Sequence, residues 1–381
     1  MVKKVRLDNF IANWGWTKIR EKSGLIFVKL DIPQEIEKNI LKELSIEKKI
    51  IQDKEIPLKS YNYSYIKQRL EEKYQQKVSL PTIIHRAKNH GFYLKKPKRS
   101  IHDREVLTTY IGELIQHDTS YHLWAPEAKQ KWYLITSLDD HSRLILYATL
   151  VKIETSWTHI LALQSLILKY GLPYSYYVDS HRIFRFVQGR DSLWRKHHLL
   201  TDESTPQWKQ VLEDCNVEVV YALSPQAKGK MERPYGWLQD HLIRTCVREN
   251  IKDIKDAQII LNQELHRYNH HQIHSTTKEI PYIRFQKALK EKRSLFREFT
   301  VRPPFQSPKD IFCLRMNRVV DPYRKISIHN LQIKVHADPG KKINLRIYPL
   351  NDELTELRFW CEGKLIGLQK VKNSDLKGVH F

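Results

Sequence analysis

Residues 217–238 of this chain read VEVVYALSPQAKGKMERPYGWL, and this stretch decides the fold. Its apolar beginning, residues 217–221, predicts a β-strand, and the Ser-Pro pair that follows predicts a turn. Glu232 comes after a basic, glycine-containing loop, and we expect a helix to start close to it, because Pro234 limits how far upstream that helix extends. A carboxylate near a helix N-terminus is common, since the helix dipole stabilises it by up to about 1 kcal/mol. A catalytic interpretation of Glu232 therefore needs further acids placed to meet it.

Two upstream acids satisfy that need. Asp118 ends the apolar run 112–118 (GELIQHD), and Asp179 ends the run 174–179 (YSYYVD); both runs predict strands. Further strands are predicted at 132–138 and 144–151, and helices at 157–170, 206–215 and 253–268. Three strands joined by hairpins, followed by alternating helices and strands, predict a mixed α/β sheet with its first and fourth strands side by side. Because neighbouring strands lie about 4.8 Å apart, Asp118 and Asp179 could then share a metal-sized site.

The order strand-Asp, strand-Asp, helix-Glu, with SPQAKGKMER around the last acid, carries a family resemblance. It resembles the catalytic core of retroviral-type integrases and insertion-sequence transposases. The phrases GELIQHD, DSHRIFRF and WLQDHL add to this likeness, which covers residues 104–285. The chain departs from the best-known integrases in its longer second interval, where residues 180–207 look like an insertion. The resemblance implies a ribonuclease-H-like core.

The same resemblance implies the chemistry of the three acids. Hard carboxylate oxygens suit Mg²⁺ or Mn²⁺, and the resemblance assigns Asp118 to bridge two ions, Asp179 to bind one and Glu232 the other. The activity implied is that of a transposase, a polynucleotidyl transferase that cleaves DNA and joins its strands, acting on transposon terminal inverted repeats and target DNA. Two alternatives stay open: a catalytically inert, site-specific DNA-binding protein derived from a transposase, and a ribonuclease-H-like nuclease that cuts without joining. His117, His181 and Arg185, which lie next to the acids in the sequence, are further candidates for orienting the scissile phosphate.

Composition favours a nucleic-acid partner. The formal net charge is +22 over 381 residues, and 41% of the residues are hydrophobic, enough for ordinary buried cores. No apolar run approaches the roughly 20 residues of a membrane span, so we expect no membrane partner and a cytoplasmic, nucleoid-associated protein. The four cysteines form no CxxC pair. The histidine-rich run 266–274 could hold a metal, but its spacing is irregular and it has no partner cysteines.

A helical module is predicted before the core. Residues 33–91 show three helical segments, and 79–91 carries Ser, Pro and Gly where a helix begins and ends. This pattern predicts a helix-turn-helix DNA-binding module, with an ordinary polar helix pair as the alternative. The candidate DNA contacts are Thr82, His85, Arg86 and Asn89 on the outer face of the third helix, Lys95, Lys96, Lys98 and Arg99 in the basic linker, and Lys228 and Lys230 near the acids.

The last part of the chain changes to short β-rich pieces, predicted at 311–314, 325–328, 331–335, 343–347 and 357–360. They predict a small β-barrel, which the resemblance likens to an SH3-like module that holds DNA; a packing domain is the alternative. The predicted organisation is an unassigned segment 1–32, the helix-turn-helix module and linker 33–100, the core 104–286, a charged helical linker 287–302 and the β-rich domain 303–381. We also expect self-association, as a dimer or higher multimer on DNA.

Overall fold

The computed structural model describes residues 32–95, 108–179, 181, 183–184, 206–222, 229–328 and 331–376, and the strand backbones 16–21 and 24–29, with the side chains of 229–233 left out. These residues form two compact units. Unit 1 takes in 1–103, 123–130 and 239–252, and unit 2 takes in 104–122, 131–238 and 253–381. No helix in these described parts of the chain is long and apolar enough to cross a bilayer.

Unit 1 is mainly helical. It contains the antiparallel pair β1 (Trp16–Glu21) and β2 (Gly24–Lys29), and the helices α1 (Gln34–Gln52), α2 (Tyr63–Tyr74) and α3 (Leu80–Asn89). Asn62 and Ser79 cap α2 and α3 by accepting hydrogen bonds from Tyr65 N and Thr82 N. The side chains that hold the helices together are fully buried: Ile40, Leu44, Ile66, Leu70, Ile83 and Ala87. The three predicted helices are present, and the helix-turn-helix class stays a prediction.

Unit 2 is built on a five-stranded mixed sheet. Its elements are β3 (Leu114–His122), β4 (Trp132–Asp139), β5 (Ile145–Val151), α4 (Ser156–Tyr170), β6 (Ser175–Val178), α5 (Gln207–Asp214), β7 (Glu218–Tyr221), α6 (Gly229–Arg248), α7 (Ile254–His270) and α8 (Pro281–Lys290). The strand order is β5-β4-β3-β6-β7, with antiparallel pairs among the first three and parallel pairs after them. The prediction of a mixed α/β sheet with its first and fourth strands adjacent is confirmed.

One predicted boundary near the acids is wrong, and a second is shifted by three residues. Asp118 does not end its strand, because β3 continues to His122 through antiparallel pairing with β4, where the rings of Tyr121 and Tyr133 stack across the two strands. Asp118 instead follows the part of β3 that pairs with β6. The helix α6 starts at Gly229, three positions before Glu232, and Pro234 lies inside it. Pro234 is the sixth residue of this helix, so it removes the backbone hydrogen bond to the carbonyl of Lys230.

The second half of α6 belongs to unit 1. There Arg244 is fully buried and pairs with Glu47, which is also fully buried, and with Asp240 at 2.9 Å; it also donates to the carbonyl of Ser60 at 2.6 Å. Arg248 bonds Glu47 at 2.7 Å. Burial alone would oppose charge on Arg244, yet its acidic partners raise its pKa overall. The predicted boundaries did not group these residues with the N-terminal helices.

The predicted linker helix ends early. Helix α8 stops at Lys290, and the chain beyond it bonds back to unit 2, with Leu295 N donating to the carbonyl of Ile111 at 2.9 Å. Gly112 has φ +72°, and a Cβ at this position would lie 2.7 Å from the ring of Phe296. A glycine is therefore required where the returning segment crosses the start of the sheet.

The C-terminal part of unit 2 is β-rich, as predicted, but two of its elements differ from the prediction. The strand predicted at 311–314 begins only at Leu314, because Ser307 and Asp310 form a capping box that starts the short helix α9 (Pro308–Ile311), and the strand at 364–372 was not predicted. The strands are β8 (Leu314–Val319), β9 (Lys325–Ile328), β10 (Leu331–Lys334), β11 (Lys342–Pro349), β12 (Leu354–Cys361) and β13 (Lys364–Lys372). They form an antiparallel sheet of order β13-β12-β11-β8 and a β9-β10 hairpin. The SH3-like barrel and the predicted domain boundaries stay predictions.

Candidate active site

Two of the predicted acids line one cleft. The last parallel pair between β3 and β6 joins Gln116 to Tyr177, so the same register continued by two residues sets Asp118 opposite Asp179. Both acids line a cleft of about 110 Å³ in unit 2. The other lining residues are Thr119, Tyr121, Tyr133, Glu154, His181 and Phe184. The sheet topology therefore brings together acids that are far apart in the sequence.

The first part of helix α6 is anchored beside Asp118. Thr136 of β4 is the direct cross-strand partner of Asp118, and its hydroxyl donates to the Tyr235 hydroxyl at 2.7 Å. Glu232 precedes Tyr235 by three positions, one turn earlier on the same helix. The Glu232 backbone is thereby tied to the strand pair that carries Asp118, and its side chain lies outside the described residues.

The pKa of the Tyr235 hydroxyl is affected by the charges of the acids that line the cleft. Burial raises its pKa well above the ordinary value, and the negative charge of Asp118 raises it further, followed by those of Glu154 and Asp179; the Thr136 hydrogen bond acts the other way. Three carboxylates therefore act electrostatically on one buried phenol. The cleft thus brings three acidic side chains together in a strongly positive chain.

Glu154 is the acid that the sequence did not single out. It precedes Thr155, the N-cap of α4, and its side chain is 15% exposed. Burial tends to raise its pKa, but the hydrogen bond from His159 is the largest of the effects that outweigh burial, and the pKa is lowered overall. Glu154 is therefore held as a carboxylate on the wall of the cleft. An acid immediately before an N-cap at the end of a strand was the signal that could have found it.

A chain of buried hydrogen bonds holds Glu154. His159 Nε2 lies 2.9 Å from the Glu154 carboxylate, His159 Nδ1 lies 2.8 Å from His117 Nε2, and His117 Nδ1 lies 2.8 Å from the Ser137 hydroxyl. A carboxylate only accepts, so His159 Nε2 must carry a proton. With neutral rings, His117 then donates to His159 and Ser137 donates to His117. The whole chain therefore has one consistent direction, which ends on Glu154.

The donor set of the cleft fits a hard divalent cation, because carboxylate oxygens are the ligands that Mg²⁺ and Mn²⁺ prefer. Among the described side chains, no group of three His, Cys, Asp or Glu is close enough to hold an ion. This holds also for the histidine-rich run, where the rings of His266 and His270 stack 4.5 Å apart. The acids that line the cleft therefore do not form such a group by themselves, and the predicted set also needs Glu232, whose side chain lies outside the described residues.

The curated relatives of the chain are transposases. The putative transposase y4bF of Sinorhizobium fredii (strain NBRC 101917 / NGR234) is 29% identical over 193 residues, which cover 50% of this chain and 40% of the relative. The transposase for insertion sequence IS1202 of Streptococcus pneumoniae is 26% identical over 253 residues, 66% of this chain and 48% of the relative. The chain resembles insertion-sequence transposases. It spans less than half the length of these relatives, and no family model matches it.

Solved integrases are more distant. The HTLV-2 integrase catalytic core domain in complex with magnesium (trimeric form) aligns at a TM-score of 0.34 and 16% identity, covering 45% of this chain and 95% of that one. The simian T-cell lymphotropic virus intasome in complex with PP2A regulatory subunit B56 gamma aligns at 0.37 and 15%, covering 77% and 91%. Neither alignment is close enough to support a conclusion. The resemblance to insertion-sequence transposases is confirmed by the two curated relatives.

The predicted DNA contacts on α3 differ in their exposure to solvent and in their partners within the protein. His85 and Asn89 are exposed, whereas the Thr82 hydroxyl lies 2.7 Å from that of Ser79. Arg86 has a side chain only 14% exposed, and its Nε lies 3.6 Å from the carboxylate of Glu37. As DNA contacts all four stay predictions.

The structure describes some of the predicted basic DNA contacts and both candidate histidines, His117 and His181. Lys95 is exposed, and the backbone of Lys230 lies in α6; Lys96, Lys98, Arg99, Arg185 and Lys228 lie outside the described residues. His181 lines the cleft, and its backbone N–H donates to Asp179 at 2.9 Å. His117 is fully buried in the hydrogen-bonded chain, so the interpretation that it orients a phosphate is wrong.

Replacing His159 by Leu should lower the free energy of unfolding by about 2–3 kcal/mol, because a hydrogen bond to a charged group is worth about 1.5–3 kcal/mol and the buried His117 N–H also loses its acceptor. Urea unfolding of the full chain measures this. His85→Leu is the matched control, since His85 is exposed on a helix, and it should change stability by less than about 0.5 kcal/mol. Equal small effects for both variants would show that the chain does not stabilise Glu154.

Proposed function

We propose that the chain is a metal-dependent polynucleotidyl transferase that cleaves DNA and joins the cut ends to new DNA, the activity of a transposase. One observation carries this proposal. Asp118 and Asp179 line a single cleft, and the helix that bears Glu232 is anchored through Tyr235 to the strand residue opposite Asp118. The curated relatives support the proposal through their names.

In this proposal Asp118, Asp179 and Glu232 hold two Mg²⁺ or Mn²⁺ ions. The bound ions supply activation of the attacking hydroxyl and stabilisation of the departing 3′-oxygen in an in-line displacement at a phosphodiester. The chain's own residues keep the cleft acidic and ordered: the lowered pKa of Glu154 keeps it charged, and Tyr235 anchors the start of α6. No side chain acts as a nucleophile, so one cleft can serve both cleavage and joining.

The proposed substrates are transposon terminal inverted repeats and target DNA. A net charge of +22 attracts polyanions, and each phosphate neutralised by Lys or Arg releases counterions. Lys95, Lys96, Lys98, Arg99, Lys228 and Lys230 are the proposed phosphate contacts. Mutual repulsion at this charge opposes self-association without DNA, so we propose a weak dimer that forms a stable higher multimer on paired DNA ends in the cytoplasm, at the nucleoid.

A strand-transfer assay tests the proposed function and separates it from the two alternatives. Labelled duplexes ending in the inverted repeats that flank the reading frame are incubated with the full chain, Mg²⁺ and a supercoiled plasmid. The transposase proposal expects cut repeat ends and labelled plasmid. Cutting without labelled plasmid would indicate a nuclease, and neither product, with repeat-specific binding retained, would indicate an inert DNA-binding protein.

The preference for repeat DNA over random DNA tests the N-terminal unit. A base-edge contact is worth about 1–3 kcal/mol, so Arg86→Ala should lower this preference by roughly 5- to 150-fold if Arg86 leaves Glu37 to reach a base. Because His85 and Asn89 are already exposed, the double variant His85→Ala/Asn89→Ala should lower it too. Binding titrations at fixed salt with both DNAs measure each effect.

Lys67→Ala, which changes an exposed α2 residue, is the control and should leave the preference for repeat DNA unchanged. An equal loss of affinity for both DNAs in the Arg86 variant would make Arg86 a phosphate contact or a purely structural partner of Glu37. Unchanged preference in both variants would remove α3 from base recognition.

A further inference from the structure

Two stacked tyrosines form the open wall of the acidic cleft. Tyr121 of β3 and Tyr133 of β4 are direct cross-strand partners, their ring centroids are 4.4 Å apart, and their planes differ by 28°. Tyr133 is half-buried, whereas Tyr121 is 55% exposed. A large aromatic ring left in solvent on a rigid strand pair does little for the core. The pair is therefore a preformed flat surface.

The position of this surface relates it to the acids. Tyr121 follows Asp118 by three residues on the same strand, and both rings line the cleft that Asp118, Glu154 and Asp179 also line. The exposed Lys131 places its Nζ 5.7 Å from the centroid of the Tyr121 ring. One small region thus offers carboxylates, a flat aromatic face and a cation. These are the groups that suit a metal-bound phosphate, a base and a second phosphate.

We propose that Tyr121 and Tyr133 form a stacking platform for an unpaired nucleobase of the DNA strand whose phosphate enters the acidic cleft; this rests on the proposed function. Base–aromatic stacking tolerates any base sequence, because every base has a π-face. A paired base inside a duplex has both faces covered by its neighbours. The platform therefore selects DNA whose strand is already splayed or single-stranded at the site, and Lys131 neutralises a flanking phosphate.

The charge pattern favours a nucleic-acid strand over a peptide as the occupant. The chain carries a large positive excess, and the ring is bordered by a lysine. A protein partner that buried Tyr121 alone would bring no phosphate to the neighbouring carboxylates. The proposed occupant is therefore an unpaired base. If the chain showed no preference for DNA with single-stranded tails, this proposal would be rejected.

The test measures binding without metal, so that it does not depend on catalysis. The probes are a blunt random-sequence duplex and the same duplex with a short 3′ or 5′ tail containing 2-aminopurine, in buffer with EDTA. The full chain should bind at least one tailed probe about tenfold more tightly than the blunt one, since stacking is worth about 1–3 kcal/mol per base and tenfold corresponds to about 1.4 kcal/mol. Stacking on Tyr121 should also quench the 2-aminopurine fluorescence.

Three variants decide the outcome. Tyr121→Leu keeps apolar bulk but removes the π-face and should abolish the tail preference and the quenching, while Tyr121→Phe should keep both. Tyr174→Leu is the matched control, because Tyr174 is 56% exposed in the same unit and does not line the cleft. Unchanged circular dichroism and melting temperature confirm that each variant folds.

Retained tail preference in Tyr121→Leu, or an equal loss in Tyr174→Leu, would overturn the platform. The proposed function fails separately. A chain that cuts and joins DNA without any preference for tails rejects the platform alone. A chain that shows the Tyr121-dependent preference but makes no cut or joined product rejects the transferase alone.

Discussion

Asp118→Asn should reduce metal-dependent cleavage and joining of repeat ends by at least about a thousandfold and leave DNA affinity within about twofold of the unchanged chain. Metal ions supply several kcal/mol of transition-state stabilisation, and 1.36 kcal/mol is a factor of ten. Asp118 follows the part of β3 that pairs with β6. The hydrogen bond that anchors α6 is made to Thr136, its partner on the neighbouring strand. Removing its charge weakens ion binding and not duplex binding, which depends on cations elsewhere. A labelled-end assay in Mg²⁺ and again in Mn²⁺, with binding measured in parallel, provides the numbers.

Asp179→Asn and Glu232→Gln should behave in the same way. Glu218→Gln is the matched control, since Glu218 is an exposed acid on the outermost strand of the same sheet, and it should keep full activity. Strand transfer at an undiminished rate by any of the three variants would remove that residue from the site. A comparable loss in the Glu218 variant would show that the assay reports overall charge and not the cleft.

Arg244→Ala should lower the free energy of unfolding of unit 1 by about 3–5 kcal/mol, because breaking a buried ion pair leaves an uncompensated charge. Arg244 and Glu47 are both fully buried, and Arg244 also bonds Asp240 and the carbonyl of Ser60. Urea unfolding of the full chain, followed by circular dichroism, should show an early transition. This is the largest stability effect that we expect from one substitution.

A control variant and a double variant separate the effect of an unpaired buried charge on stability from the effect of lost packing. Lys67→Ala breaks an exposed pair with Glu71 and should cost less than about 1 kcal/mol. The double variant Glu47→Gln/Arg244→Met should cost less than the sum of its single variants, since neither partner is then left as a lone buried charge. Strict additivity would mean that the pair does not couple, and an Arg244→Ala effect no larger than that of Lys67→Ala would make the network incidental.

The existence of the core elements could be predicted from the sequence because apolar runs and turn residues are local signals. The apolar runs that end in Asp118 and Asp179 predicted two strands. The order of hairpins, helices and strands predicted that these two strands lie side by side in the sheet. The extent of β3 beyond Asp118 could not be predicted in this way. It depends on backbone bonds to β4 and on the stacking of Tyr121 with Tyr133, which are contacts between distant positions.

The surroundings of the acids were less predictable, because they depend on contacts between distant positions. Glu154 looked like part of a helix start, and nothing local indicated that a buried histidine pair would hold it in the cleft. Tyr235 looked like a helix residue after a proline, yet its hydroxyl meets Thr136, which lies 99 positions away. Glu47 and Arg244 lie on different helices, 197 positions apart in the sequence. Their burial becomes evident only when both helices are present.

Helix α6 has a consequence for how such a gene can change. A helix of 20 residues is about 30 Å long, and this one carries Glu232 near its beginning and the buried Arg244 and Arg248 near its end. If residues 1–103 were exchanged for the corresponding part of another gene, Arg244 and Arg248 would lose their acidic partners Glu43 and Glu47. Under the proposed function, we therefore expect a new DNA specificity to arise by point substitution on the exposed face of α3 and not by exchange of whole segments. The ancestry of the N-terminal helices and that of the catalytic region should accordingly be shared.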